Sequence, residues 1–180
     1  RSCTGKYLWI FGDDDFLELD DSLRRIMAHL EEGRHEFYIL NRTRRNTTLD
    51  RLISPNWMDI PENEDVPFSG LQEFCLQWGL ISVIGFITVN IFEREKFSKV
   101  DPSPYWGTMY PQLGMMLQAF HDSSCLLLGR PLVCHRTATM EEKKDALGDK
   151  ETEKDFMSGE QLRNAKFFSL PFARMLHELM

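Results

Sequence analysis

No Cys-x-x-Cys spacing occurs in this chain, whose four cysteines (Cys3, Cys75, Cys125 and Cys134) lie far apart. Three of them sit inside apolar runs, where a free thiol behaves as a small hydrophobe, so a reducing, cytoplasmic setting is expected. Long hydrophobic runs are missing too. The longest, Leu80 to Phe92, is broken by Ser82, Thr88 and Asn90 and is too short to cross a bilayer as a helix. Positive charge is in short supply: 21 basic against 28 acidic residues give a net charge of -7, without the surplus of Lys and Arg that a general grip on nucleic acid needs. The cluster Arg42, Arg44 and Arg45 is the local exception, and it reads as a solvated loop. There is no internal repeat and no long biased tract. The 180 residues, 42% apolar and 27% charged, are enough for one folded domain with a real core.

The first forty residues carry the clearest pattern. Tyr7-Leu8-Trp9-Ile10-Phe11 is a continuous apolar run ended by Gly12, which predicts a strand buried on both faces. Leu19, Leu23, Ile26, Met27 and Leu30 then share one helical face, with Asp20 as N-cap and Gly33 just past the end. Glu36 to Leu40 is a second apolar run. Strand, helix, strand is the unit that builds a parallel sheet, so an α/β fold is expected.

Further along, residues 43 to 67 read as loop with at most short strands, punctuated by Pro55, Pro61 and Pro67. A helix over Phe68 to Trp78 follows, then a strand or bent hairpin over Ile81 to Phe92. Tyr105 to Phe120 keeps helical spacing. Cys125 to Leu128 and Leu132 to Cys134 are two short runs with Gly129-Arg130-Pro131 as a turn between them. The expected organisation is a main part over 1 to 137, a mobile charged loop over 138 to 158, and a helical segment over 159 to 180.

Asp13, Asp14 and Asp15 stand at the C-terminal end of the first expected strand, where open α/β sheets bind ligands. Three consecutive carboxylates repel one another unless a cation or hydrogen-bond donors neutralise them. A hard divalent ion is the natural partner. Mg²⁺ commonly takes one or two protein carboxylates and completes its shell with substrate phosphate oxygens and water, which suits a diphosphate-bearing ligand. A solvated acidic turn leading into the next helix is the plain alternative.

The stretch Tyr-Leu-Trp-Ile-Phe-Gly-Asp-Asp-Asp-Phe-Leu at 7 to 17, followed by the amphipathic helix and Phe-Tyr-Ile-Leu-Asn at 37 to 41, resembles the middle of family 2 glycosyltransferases of the GT-A fold. Gly85 to Arg94 and Pro131-Leu132-Val133-Cys134-His135-Arg136 resemble that family's acceptor-side half, in the manner of bacterial polysaccharide and lipopolysaccharide sugar transferases. The resemblance implies a three-layer α/β fold, with two or three nucleoside-binding βα units of about 30 residues each lying ahead of this chain. It implies transfer of a sugar, with inversion, from a nucleotide-sugar donor to a hydroxyl of a glycan or lipid-linked acceptor, at the inner face of the cell membrane. It also implies a Mn or Mg ion that stabilises the departing nucleoside diphosphate.

Residue by residue, the resemblance makes Asp14 the metal ligand with Asp15 its companion, or sets Asp13 and Asp15 to either side of the metal. It puts His135 facing the metal or diphosphate, with Asp13 and Arg136 on the phosphates. The family's acidic pair ahead of the helix near Tyr105 is replaced here by Tyr105-Trp106-Gly107-Thr108-Met109, which leaves Asp101 as the candidate base, with Asp65 and Glu73 behind it. Trp57 is the tryptophan placed to offer a flat face to a sugar.

Two other readings stand beside this one. A haloacid-dehalogenase-like phosphatase also places Asp-x-Asp after a hydrophobic strand, with Gly148-Asp149 as its second acidic motif, although Lys143-Lys144-Asp145 precedes it where a buried strand belongs. A transferase remnant that binds a sugar or partner without turnover is the other. An EF-hand loop is excluded, because Leu17 and Glu18 stand where a ligand and a glycine are required and Arg24 replaces the bidentate Glu.

Overall fold

The computed structural model describes residues 3–61, 64–79, 86–106, 111–139 and 142. Among them are strands β1 (Tyr7–Trp9), β2 (Phe16–Leu17), β3 (Phe37–Arg45), β4 (Leu52–Ser54), β5 (Val66–Ser69), β6 (Asn90–Glu93) and β7 (Ser124–Arg136), with helices α1 (Ser22–Glu32), α2 (Leu71–Trp78), α3 (Arg94–Ser98) and α4 (Pro111–Phe120). The strands form one sheet with the path β1-β6-β3-β7-β2, while β4 joins β3 and β5 joins β7. The fold is α/β.

Its centre is the parallel pair β3 and β7, whose inner residues Phe37 to Leu40 and Cys125 to Leu128 are buried. Phe37 stacks on Phe92 of β6 at 5.9 Å and meets the edge of Phe120 of α4 at 5.1 Å. Full burial of such side chains stabilises by about 1.5–3 kcal/mol each. Helix α1 ends as its sequence indicates, with Gly33 in the left-handed region at φ 63° and its N–H on the carbonyl of His29. Its N-cap is Asp21 rather than Asp20. Ile26 is buried beneath it, whereas Leu23 and Met27 of the expected apolar face stand exposed.

Four sequence expectations are corrected here. The first strand is half-buried, and Ile10 and Phe11 are exposed beyond its end, because β1 lies at one end of the sheet path and, among the described residues, has only β6 as neighbour. The sheet is mixed: β6 runs antiparallel between β1 and β3, so that the strand–helix–strand unit spans two positions rather than adjacent ones. The arginines at 42, 44 and 45 belong to the long strand β3, not a loop, and Arg42 is only 5% exposed.

The fourth correction bears on the site. Residues 124 to 136 form one strand, with no turn at Gly129-Arg130-Pro131; Pro131 pairs with Asn41, and Gly129, Arg130 and Leu132 are the extra residues bulged on either side of it. Phe37 lies beside Cys125 but Arg42 beside Val133, so β7 carries three more residues than β3 over the same span. Asn41 holds the irregularity together from inside. Its Nδ2 donates to the carbonyls of Gly129 (2.9 Å) and Met58 (3.2 Å), and its Oδ1 accepts from the N–H of Arg42 (2.9 Å) and of Met58 (3.2 Å). Gly129 is required there because a Cβ would lie 1.8 Å from the carbonyl oxygen of Glu64.

The helix expected over Phe68 to Trp78 begins only at Leu71, as α2, because Phe68 and Ser69 pair with β7 in β5. Of the one expected over Tyr105 to Phe120, Pro111–Phe120 is described as α4, and Ser103–Tyr105 is a 3-10 turn. The Ile81 to Phe92 stretch is described from 86 onward, as a short 3-10 turn (Ile87–Val89) leading into β6. The charged loop expected over 138 to 158 and the helical segment over 159 to 180 lie outside the described residues, apart from residues 138, 139 and 142. Among the described residues no helix is long and apolar enough to cross a membrane.

Candidate functional site

Beyond β1 the chain turns at Gly12 and brings Asp15 back toward the 3-10 turn before β6. Thr88 makes the joint: its hydroxyl accepts from the N–H of Gly12 (3.0 Å) and donates to Asp15 Oδ2 (2.5 Å), while its carbonyl accepts from Trp9 Nε1 (2.8 Å). Thr88 is fully buried, so this anchor is shielded from water. Of the three carboxylates only Asp15 is half-buried; Asp13 and Asp14 are exposed. Burial raises the pKa of Asp15, the Thr88 hydrogen bond lowers it, the neighbouring Asp14 raises it, and Arg42 and Arg136 lower it. Asp15 Oδ1 is buried with no hydrogen-bond partner among the described residues.

The C-terminal ends of β3 and β7 supply the opposite wall. Side chains alternate there: Thr43 and Arg45 turn to Glu18, while Arg42 and Arg44 turn to Trp57, and Arg42 also to Phe86. His135 is the β7 neighbour of Arg44 and packs its ring against Phe86 at 4.5 Å. Burial, together with Arg42 and Arg44, pushes its pKa down to about 4 against a weaker upward pull from Asp14, so the imidazole is neutral at pH 7. Its Nδ1 is buried without a hydrogen-bond partner among the described residues. The bulge is what delivers His135, since an unbroken register would set Leu132 beside Arg44.

The electrostatics thus join Asp14, Asp15, His135 and Arg136, four of the residues singled out from the sequence, with Arg42 and Arg44. Asp13 is an exposed member of the same turn. Asp101 is exposed, accepts from the N–H (2.9 Å) and hydroxyl (2.6 Å) of Ser103, and is not among the groups acting on Asp15 or His135. Asp65 accepts from the N–H of Gly129 and faces His29, and Glu73 accepts from the N–H of Ser69, so both are occupied in holding backbone. Sequence reasoning missed Thr88 and the roles of Arg42 and Phe86. The Arg-x-Arg alternation after a buried run was the available signal for the arginines; nothing local marks Thr88.

The donor chemistry can be tested against a divalent ion. Among the described residues no three His, Cys, Asp or Glu side chains gather into a ready-made metal cluster, so a structural ion held by protein alone does not fit. Two adjacent carboxylates, one oxygen of which is buried and unpartnered, do fit a hard ion that takes the rest of its shell from phosphate and water.

No family model matches the chain. In the comparison with curated proteins, this α/β chain is similar to a transferase. The similar protein is the abequosyltransferase RfbV of Salmonella typhimurium, 28% identical over 143 residues that cover 74% of this chain and 42% of that protein. The chain therefore spans less than half the length of that relative.

Proposed function

We propose that this chain is the central and acceptor-side part of a GT-A-like, family 2 sugar transferase, whose parent enzyme moves a sugar from a nucleotide-sugar donor to a hydroxyl of a glycan or lipid-linked acceptor. The observation that carries this reading is that Asp14 acts electrostatically on both half-buried Asp15 and neutral His135, the latter at the end of the β3–β7 pair, in a chain similar to a sugar transferase. Carboxylates beside guanidiniums suit a ligand that brings both a cation and phosphate.

Asp14 and Asp15 would hold a Mn or Mg ion that takes the rest of its shell from phosphate and water, with His135 facing the metal or diphosphate rather than serving as a third ligand. When bound, that ion supplies Lewis-acid stabilisation to the departing nucleoside diphosphate. Thr88 fixes Asp15 in one orientation, so the carboxylate needs little reorganisation. The neutral imidazole of His135 presents a lone pair or an N–H without adding to the positive charge of the arginine wall. Asp13 and Arg136 flank the phosphates. We extend the proposal to Asp101 as acceptor-side base: Ser103 holds its carboxylate in the ionised form, and Asp101→Asn should lower kcat by about 100-fold or more. Peripheral attachment to the inner face of the cell membrane would come through a lipid-linked acceptor.

The test is Mn²⁺-dependent hydrolysis of a panel of nucleotide sugars by the full-length protein. Asp15→Asn should abolish the metal dependence while leaving the fold, checked by circular dichroism, intact. Activity that is indifferent to this change would remove the site. Release of phosphate from simple monoesters would instead favour the phosphatase, and sugar binding without turnover the non-catalytic remnant.

A further inference from the structure

Arg42 is the most unusual cation of the described chain. Its guanidinium lies 3.8 Å from the ring centroid of Phe86 and 4.4 Å from that of Trp57, and the residue is 5% exposed. Trp57 is locked in place from the backbone, its N–H donating to the carbonyl of Arg42 at 2.9 Å. Arg44 lies 5.2 Å from the same Trp57 ring, and its Nε is buried with no hydrogen-bond partner among the described residues. Two guanidiniums are thus drawn together on one strand face, where burial and then the charge of Arg44 push the pKa of Arg42 down to about 10.

A guanidinium covered by aromatic rings keeps only its in-plane N–H edge for hydrogen bonding, and that edge matches the paired oxygens of a phosphate. The chain as a whole carries net charge -7, so an inward-facing arginine pair is not a consequence of basic composition. Asp15 and His135 border the pair.

We propose that Arg42 and Arg44 form a phosphate-binding subsite, oriented by Trp57 and Phe86, that takes the diphosphate of a ligand lying across Asp15 and His135. This deepens the sugar-transfer reading and rests on it for the assignment of the ligand. Both a nucleoside diphosphate and a lipid-linked diphosphate present this chemistry. Arg44 meets the outer phosphate, being the less buried of the two, and Arg42 the inner one.

The experiment is calorimetric titration of the full chain with inorganic pyrophosphate, with and without Mn²⁺. Arg44→Gln should weaken binding by about tenfold or more, as expected for loss of a charge-assisted hydrogen bond, and Arg42→Lys should weaken it similarly because Lys keeps the charge but loses the planar fork. Arg34→Gln, a change of an exposed arginine away from the site, should leave it unaltered. Should Arg42→Lys fail to fold, Arg44→Gln carries the test alone. Pyrophosphate affinity that is unchanged in Arg44→Gln, or reduced equally by Arg34→Gln, overturns the subsite. Repeating the titration with a nucleoside diphosphate and a short-chain prenyl diphosphate separates the sources: an Arg44-dependent loss confined to one of them supports the subsite and assigns it to donor or acceptor.

The two readings fail separately. Arg44-dependent pyrophosphate binding in a full-length protein that transfers no sugar leaves the subsite standing and sinks the transferase. Metal-dependent transfer indifferent to Arg44→Gln does the reverse.

Discussion

Replacing Asn41 by Asp changes one side-chain nitrogen to oxygen and almost nothing in shape. The structure makes this small change severe. Asn41 is fully buried, and its Nδ2 is the donor to the carbonyls of both Met58 and Gly129. An aspartate there must either point a charged oxygen at two carbonyl oxygens or bind a proton. Protonation is the cheaper course: holding a carboxyl neutral at pH 7 when its unfolded value is about 3.9 costs about 4 kcal/mol. The neutral acid restores one of the two donated hydrogen bonds, and the carbonyl left alone adds about 1 kcal/mol or more. Asn41→Asp should therefore destabilise by about 5 kcal/mol at pH 7, a large share of the roughly 5–15 kcal/mol of a typical domain.

The pH dependence gives the signature. The folded form carries a proton that the unfolded form lacks above pH 3.9, so the variant gains stability relative to the wild type as pH falls, by about 1.4 kcal/mol per unit. Urea denaturation of both proteins at pH 7 and pH 5 measures this. A penalty below about 1 kcal/mol at pH 7, or one equal at both pH values, would refute the hydrogen-bond assignment at the bulge.

Other perturbations probe neighbouring joints. Gly129→Ala should cost about 2 kcal/mol or more by the same denaturation measurement, because its Cβ would meet backbone at Glu64 rather than a side chain that can swing away. Thr88→Val, equal in size, removes the hydroxyl between Gly12 and Asp15; a loss of about 2 kcal/mol and a weaker response to Mn²⁺ are expected, and a variant matching the wild type in both would show that Thr88 does not orient Asp15. His135, followed by NMR in chelator, should titrate near pH 4, depressed from its ordinary 6.5. Its folded value is the lower one, so its contribution is present above pH 6.5 and is lost as pH falls toward 4. Partial exposure reduces the roughly 3 kcal/mol of the full shift to about 1–2 kcal/mol. A midpoint at or above 6 would contradict the buried, cation-flanked placement.

The sequence by itself determined the α/β class, helix α1 with its Gly33 terminus, helix α2, and the acidic turn at 13 to 15, since each rests on short-range pattern: apolar periodicity, a left-handed cap, or charge crowded at the end of an apolar run. It also pointed to His135 and Arg136 through a resemblance, but not to what surrounds them. Only tertiary structure decided that β6 enters between β1 and β3, that residues 124 to 136 form one bulged strand, that Thr88 binds Asp15, and that Phe86 packs against both Arg42 and His135 while Trp57 covers Arg42. Asp15 and Thr88 are 73 positions apart, and no local rule joins a hydroxyl to a carboxylate at that separation. The bulge shows the same limit: Gly-Arg-Pro is turn chemistry in isolation, and it stays within a strand because Asn41, Asp65 and the β3 ladder hold it there.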